Sequence, residues 1–506
     1  MSHTLPNHTL FDHLLNPVID QSRLAIETAD GGRLSYGALR AATGRMANAL
    51  AAAGVRPGDR VAVQVEKSVE ALVLYLACLR AGMVYLPLNT AYTPAELSYF
   101  VGDAEPALVV CDPARLDAIT ALAGAVAVRT LDARGQGSLT EAAAGQPEEF
   151  ATVARGPDDL AAILYTSGTT GRSKGAMLTQ ENLLSNARVL QSEWRFGPDD
   201  VLLHALPIFH THGLFVACNL VLLSGASMVL LPRFDPADVL ARLPAATVMM
   251  GVPTFYTRLL GQEGLTPEAC RTIRLFVSGS APLLAETHRA WEERTGHRIL
   301  ERYGMTETGM LTSNPYDGDR VAGTVGFPLP GVGLRIADPA TGVPLPGDAI
   351  GAIEVRGPNV FKGYWRMPEK TAAEFRPDGF FITGDLGRVD GRGYVHIVGR
   401  GKDLIISGGF NVYPKEVEGE IDELPGVLES AVIGIPHPDF GEAVVAVVVA
   451  DGTAPVTEAA IAAALKDRLA RYKQPKRVVV VDELPRNSMG KVQKAQLRDT
   501  HAGVFG

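Results

Sequence analysis

Apolar and polar positions repeat along most of the chain in the order helix, turn, strand. Tyr36, Leu39, Met46 and Leu50 recur at helical spacing and predict an amphipathic helix over 36–53. The turn Gly54-Val55-Arg56-Pro57-Gly58-Asp59 follows, and 60–65 alternates like a strand. A helix over 68–81 and a short strand over 84–88 come next. Thr93 before Pro94 predicts an N-cap and a helix running to Val101, ahead of a strand over 107–111. Further apolar runs at 160–164, 201–203, 228–231, 247–250 and 275–279 predict buried strands, with a helix over 179–193. Strands alternating with helices predict an α/β fold with a mainly parallel sheet, whose ligands collect at the turns after the strands. From about Val321, Gly-Pro turns separate short strands such as 351–356, which predicts a β-rich, more antiparallel subdomain. Gly399-Arg400-Gly401-Lys402-Asp403-Leu404 reads as a linker. Beyond it, helices over 414–423 and 457–469 and strands over 431–435 and 443–450 predict a small α+β domain.

Composition narrows the function classes. The 506 residues carry a net charge of −9, which disfavours general binding to nucleic acid or an anionic membrane. The most apolar stretch, 214–231, is interrupted by Asn219, Ser224, Gly225 and Ser227, so a helix, a turn and a strand fit it better than a membrane span. The first residues lack a basic segment followed by an apolar one, and a cytoplasmic location is expected. Cys78, Cys111, Cys218 and Cys270 are far apart and form no CxxC, so they are expected to be small core residues.

Five stretches carry the candidate chemistry. In Tyr165-Thr166-Ser167-Gly168-Thr169-Thr170-Gly171-Arg172-Ser173-Lys174-Gly175, glycines, hydroxyls and a lysine follow a strand, as in a phosphate cradle. Ser173 before Lys174 separates it from the Walker pattern, which has Gly there. Glu301-Arg302-Tyr303-Gly304-Met305-Thr306-Glu307 sets an aromatic, a hydroxyl and a carboxylate around a glycine, suited to a base, a phosphate and a hard cation. Thr383-Gly384-Asp385 offers a carboxylate to ribose hydroxyls, or else forms an Asx-turn. Gly408-Gly409 makes a turn after an apolar run, and Lys491 lies in a basic loop near the C-terminus. Two lesser stretches are His210-Thr211-His212, whose spacing suits a shared metal poorly, and Gly279-Ser280-Ala281-Pro282-Leu283, a strand-to-helix turn able to line a flat ligand.

In this order and spacing the set resembles the adenylate-forming superfamily of acyl-CoA synthetases, luciferases and adenylation domains, over about 34–496. The resemblance implies an N-terminal AMP-binding domain over 1–399, a hinge over 400–404 centred on Lys402, and a mobile C-terminal domain over 405–506. It implies that Thr166 to Lys174, with Ser167, Gly168, Thr169, Thr170 and Gly171, hold the β- and γ-phosphates of ATP. Tyr303 would stack on adenine, beside Gly279, Ser280, Ala281 and Gly304, while Asp385 and Arg400 take the ribose. Thr306 would touch the α-phosphate, and Glu307 with Thr166 would bind Mg²⁺. Lys491 would bridge the acyl carboxylate and the α-phosphate; its loop makes it a candidate target for a lysine acetyltransferase. His210 and Met305 would lie by the acyl group, and Gly408 and Gly409 would line the route for coenzyme A.

The acid is expected to be read from Val252-Pro253-Thr254-Phe255-Tyr256-Thr257-Arg258. Thr254 and Arg258 share a helical face, and a buried arginine there would take a second carboxylate bidentately. This stretch resembles malonyl-CoA synthetases, with Ser278 or Ser280 adding a hydrogen bond. The implied substrates are a small dicarboxylate, malonate or methylmalonate, with ATP and CoA. A medium-chain or aryl-acid CoA ligase of the same superfamily is the alternative, and a non-catalytic nucleotide-binding regulator a remote one.

Overall fold

The computed structural model describes residues 9–15, 20–166, 173–407, 410–437, 440–466, 468–487 and 490–505. Ser167 to Arg172, Gly408 and Gly409 lie outside these residues. Among the described residues two large sheets form the N-terminal part. One is seven-stranded, with Val84–Pro87, Arg60–Gln64, Leu108–Cys111 and Ala127–Thr130 parallel at its heart. The other is nine-stranded, with Ser227–Leu230, Val201–His204, Val248–Gly251, Leu275–Ser278 and Leu300–Met305 parallel in that order. Most of the inner strands are apolar because helices cover them, and one continuous core joins the two sheets.

The helices expected from about 36, 68, 93 and 179 start near those positions. Ser35, Ser68, Thr93 and Thr179 each accept a backbone N–H from their own first turn. Thr93 and Glu96 complete a capping box. All four cysteines are buried and free. No helix among the described residues is long and apolar enough to cross a membrane.

Three local features differ from expectation. The segment after the glycine-rich loop is a strand, Lys174–Thr179, antiparallel to Leu160–Thr166, before the helix starts. The pair sets Lys174 directly across from Thr166. The start of the apolar stretch is a π-helical turn, His212–Cys218, and the α-helix begins only at Asn219. The helix expected over 457–469 ends earlier, as Glu458–Leu465.

The β-rich part is a four-stranded antiparallel sheet: Gly333–Ala337, Gly351–Arg356, Phe381–Val389 and Val395–Arg400. Its register puts Asp385 opposite Arg400. The chain then turns through a short 3₁₀ segment, Gly401–Asp403, with Lys402 exposed. The last sheet is built on the long hairpin Val427–His437 and Gly441–Ala450, with Arg477–Val481 added in parallel.

Candidate active site

The site lies where the parallel strands end, as the α/β rule requires. Leu300–Met305 and Gly309–Ser313 form a hairpin whose tip carries Thr306 and Glu307. The tip is pinned from outside. Phe361 N donates to the Glu307 carbonyl at 2.7 Å, and the Asn359 amide donates to the Thr308 carbonyl at 2.8 Å. Glu307 is buried, and burial raises its pKa, opposed by Lys174. Its Oε1 accepts from the Thr166 hydroxyl at 3.3 Å. A carboxylate and a hydroxyl set this way are oxygen donors of the kind a hard divalent cation takes alongside phosphate oxygens. Lys174 Nζ lies 3.0 Å from Glu374 Oε1 and 4.1 Å from the centre of the Tyr364 ring.

On the adjoining wall Tyr303, half-buried, donates its hydroxyl to Asp385 Oδ2. Arg400 Nε meets the other oxygen of Asp385 at 2.7 Å. The aromatic platform and the candidate ribose ligand are therefore one hydrogen-bonded unit. Burial and the Asp385 charge together push the Tyr303 hydroxyl far above the usual phenol range, so it stays a donor.

Lys491 reaches this cleft from the C-terminal domain. Its hairpin is closed by Lys491 N donating to Asn487 Oδ1 at 2.9 Å and by Asn487 N donating to the Lys491 carbonyl at 3.0 Å. Lys491 is exposed, although its amine lies within range of the charges of Arg400, Asp385, Glu307 and Arg302. Desolvation and the charge of Arg400 lower its pKa, while Asp385 and Glu307 raise it. The hairpin rests close on the acyl side: a Cβ on Gly490 would lie 3.3 Å from Thr254 Oγ1.

The acyl side holds the clearest departure from expectation. Arg258 is exposed, on the face of the helix Pro253–Leu260 away from its buried Tyr256 and Leu259. It is not the buried arginine that the sequence suggested. Arg302 is buried instead, 3% exposed, and its Nε and Nη2 have no hydrogen-bond partner among the described residues. Burial lowers its pKa to about 9. It fits beneath Gly279 so tightly that a Cβ there would sit 2.4 Å from the guanidinium carbon. Ser278 Oγ and His212 Nε2, both buried, also lack partners among the described residues. His212 Nδ1 is 3.3 Å from the Ser280 hydroxyl, and Ser280 is held at φ 72°. Such strain in a non-glycine residue is characteristic of ligand sites. His210 is half-buried between Lys491 and Arg302; burial first, then those two charges, lower its pKa to about 3, so its ring is neutral.

Sequence reasoning quoted Arg302 and His212 without giving them this role. The available signal was two adjacent charges, Glu301 and Arg302, inside a run that otherwise reads as a buried strand. Tyr364 and Glu374 were missed altogether. They lie some 200 residues beyond Lys174, and no local pattern links them.

Comparison with known proteins gives the chain's family and relatives. The family model described as AMP-binding enzyme matches residues 19–365, and that of the AMP-binding enzyme C-terminal domain matches 416–491. A feruloyl-CoA synthase of Amycolatopsis sp is 39% identical over 92% of this chain and 94% of its own. A malonate–CoA ligase of Arabidopsis thaliana is 35% identical over 94% of this chain and 86% of its own. MatB of Rhodopseudomonas palustris, in its ATP-bound crystal structure, is 64% identical over 99% of this chain and all of that one, with a TM-score of 0.97. Its apo form matches over the same span with a TM-score of 0.87.

Proposed function

The chain belongs to the AMP-binding enzyme family, and from that premise we propose that it is an acid–CoA ligase that joins malonate to CoA. ATP is split to AMP and pyrophosphate through an acyl-adenylate. The observation that carries the substrate is Arg302. An unpaired guanidinium buried in an acyl pocket destabilises the free site by a few kcal/mol, on the order of the penalty for an unsatisfied buried charge. A second carboxylate on the acid relieves that penalty, and Ser278 and His212 supply donors beside it. Acetate or an aromatic acid leaves all three groups unpaired. The malonate–CoA ligase among the relatives supports the same reading.

In the first step the reacting carboxylate attacks the α-phosphate, bringing two anions together. Lys491 is held beside Glu307, Asp385 and Arg302, where its charge offsets that repulsion and aligns the groups. Acetylation of that amine by a lysine acetyltransferase would remove the charge on which this step depends. Glu307 and Thr166 would hold Mg²⁺, which neutralises phosphate charge when bound. Lys174 would hold the departing pyrophosphate, and Tyr303, Asp385 and Arg400 the nucleoside. The higher similarity to the ATP-bound than to the apo form of MatB supports reading this arrangement as the adenylating one. The thiol of CoA then attacks the acyl carbonyl, after the C-terminal domain has turned about Lys402.

The test is CoA-thioester formation with malonate, methylmalonate, acetate, benzoate and ferulate in parallel. Malonate is expected to exceed acetate by roughly a hundredfold in kcat/KM, as a hydrogen-bonding site discriminates. Methylmalonate, one methyl larger, is expected to follow malonate closely. The aryl-acid reading has the feruloyl-CoA synthase relative in its favour. Preference for ferulate or benzoate would replace the malonate reading with it.

A further inference from the structure

Lys174 does not stand alone at the phosphate end of the cleft. It is 8% exposed and follows directly on the glycine-rich loop. Glu374, at the C-cap of the helix Pro368–Ala373, meets its amine with Oε1 at 3.0 Å. The same oxygen meets Lys370 Nζ at 2.9 Å, one helical turn earlier. The other oxygen accepts the Tyr364 hydroxyl at 2.6 Å. Tyr364 in turn lies under the Lys174 amine and 3.2 Å from Glu307 Oε1. One carboxylate thus has two cations on one oxygen and a phenol on the other.

We propose that Glu374 is an exchangeable counter-ion that lends its charge to Lys174 between turnovers and yields it to the phosphates of ATP. The proposal rests on the reading that Lys174 binds those phosphates. A nearly buried ammonium with no anion beside it is unfavourable, so the free enzyme needs a resident partner for it. The same carboxylate opposes the triphosphate, because it competes for Lys174 and carries like charge. Lys370 completes the exchange. When the phosphates draw Lys174 away, Glu374 keeps Lys370 and the Tyr364 hydroxyl, so the carboxylate is never left unpaired. When pyrophosphate has formed, Glu374 retakes Lys174 and assists its departure. Glu374 is a positioning residue: it acts through Lys174.

Glu374→Gln removes the competing charge and keeps the shape. The variant is expected to lower KM for ATP and the inhibition constant of pyrophosphate together, each by about tenfold, the scale of a partly buried charge pair. Its kcat is expected to fall, because product is held longer, while KM for malonate stays unchanged. Lys370→Met, which leaves Glu374 with Lys174 as its one cation, is expected to move KM for ATP upward. A folded Glu374→Gln enzyme with unchanged or raised KM for ATP and unchanged pyrophosphate inhibition would overturn the proposal. Lys174→Met tests the premise separately: if its KM for ATP equals that of the unaltered enzyme, the phosphate reading of Lys174 fails, whatever Glu374 does.

Discussion

Arg302 and Arg258 differ in what surrounds them, and the proposed malonate reading rests on that difference. Arg302 is buried with unpartnered N–H groups, whereas Arg258 presents its side chain to solvent. Arg302→Met is expected to reduce kcat/KM for malonate by roughly a hundredfold or more and to narrow the gap to acetate or propionate. Arg258→Ala is expected to leave kcat/KM within about threefold, as for a surface charge. Steady-state kinetics of both variants with both acids check this, and the reverse ranking would restore Arg258 to the pocket. Gly279 belongs to the same residue-scale argument. Its missing Cβ is the space the Arg302 guanidinium occupies, so the glycine is needed for close approach. Arg302 was legible as part of a motif, because Tyr303, Thr306 and Glu307 flank it. Its role was not, because burial and lack of partners are properties of what packs around it.

Among the elements, the hairpin carrying Lys491 is central to the proposed reaction. Its closure by Asn487 and the close seat of Gly490 on Thr254 hold the Lys491 backbone next to the helix Pro253–Leu260. Lys491→Ala is expected to lose ATP–pyrophosphate exchange by about a thousandfold, within the range that positioning and charge stabilisation supply. Thioester formation from supplied malonyl-adenylate is expected to change by less than about tenfold. Equal losses in both half-reactions would place Lys491 in both steps. The π-helical turn His212–Cys218 is a second working element. It starts at the histidine that meets Ser280, and its irregular winding sits at the pocket, where such turns tend to occur. Nothing in the apolar pattern of 214–223 distinguishes π from α winding.

For the whole molecule, the 3₁₀ segment Gly401–Asp403 is the one connection between the four-stranded sheet and the C-terminal sheet. If the domain turns about Lys402, Lys402→Pro, which fixes φ at the pivot, is expected to spare ATP–pyrophosphate exchange and to slow thioester formation by at least about tenfold. Equal effects on the two half-reactions would remove Lys402 from that role. The sequence by itself determined the α/β architecture, the helix starts at Ser35, Ser68, Thr93 and Thr179, and the motifs that mark the family. These depend on periodicity, caps and glycines, which are local and written in neighbouring residues. Only the tertiary structure decided which arginine is buried, that Glu374 partners Lys174, and that Tyr303 and Arg400 share Asp385. Each of these joins residues far apart in the chain, and its energy comes from desolvation and charge pairing, which exist only once the sheets have packed.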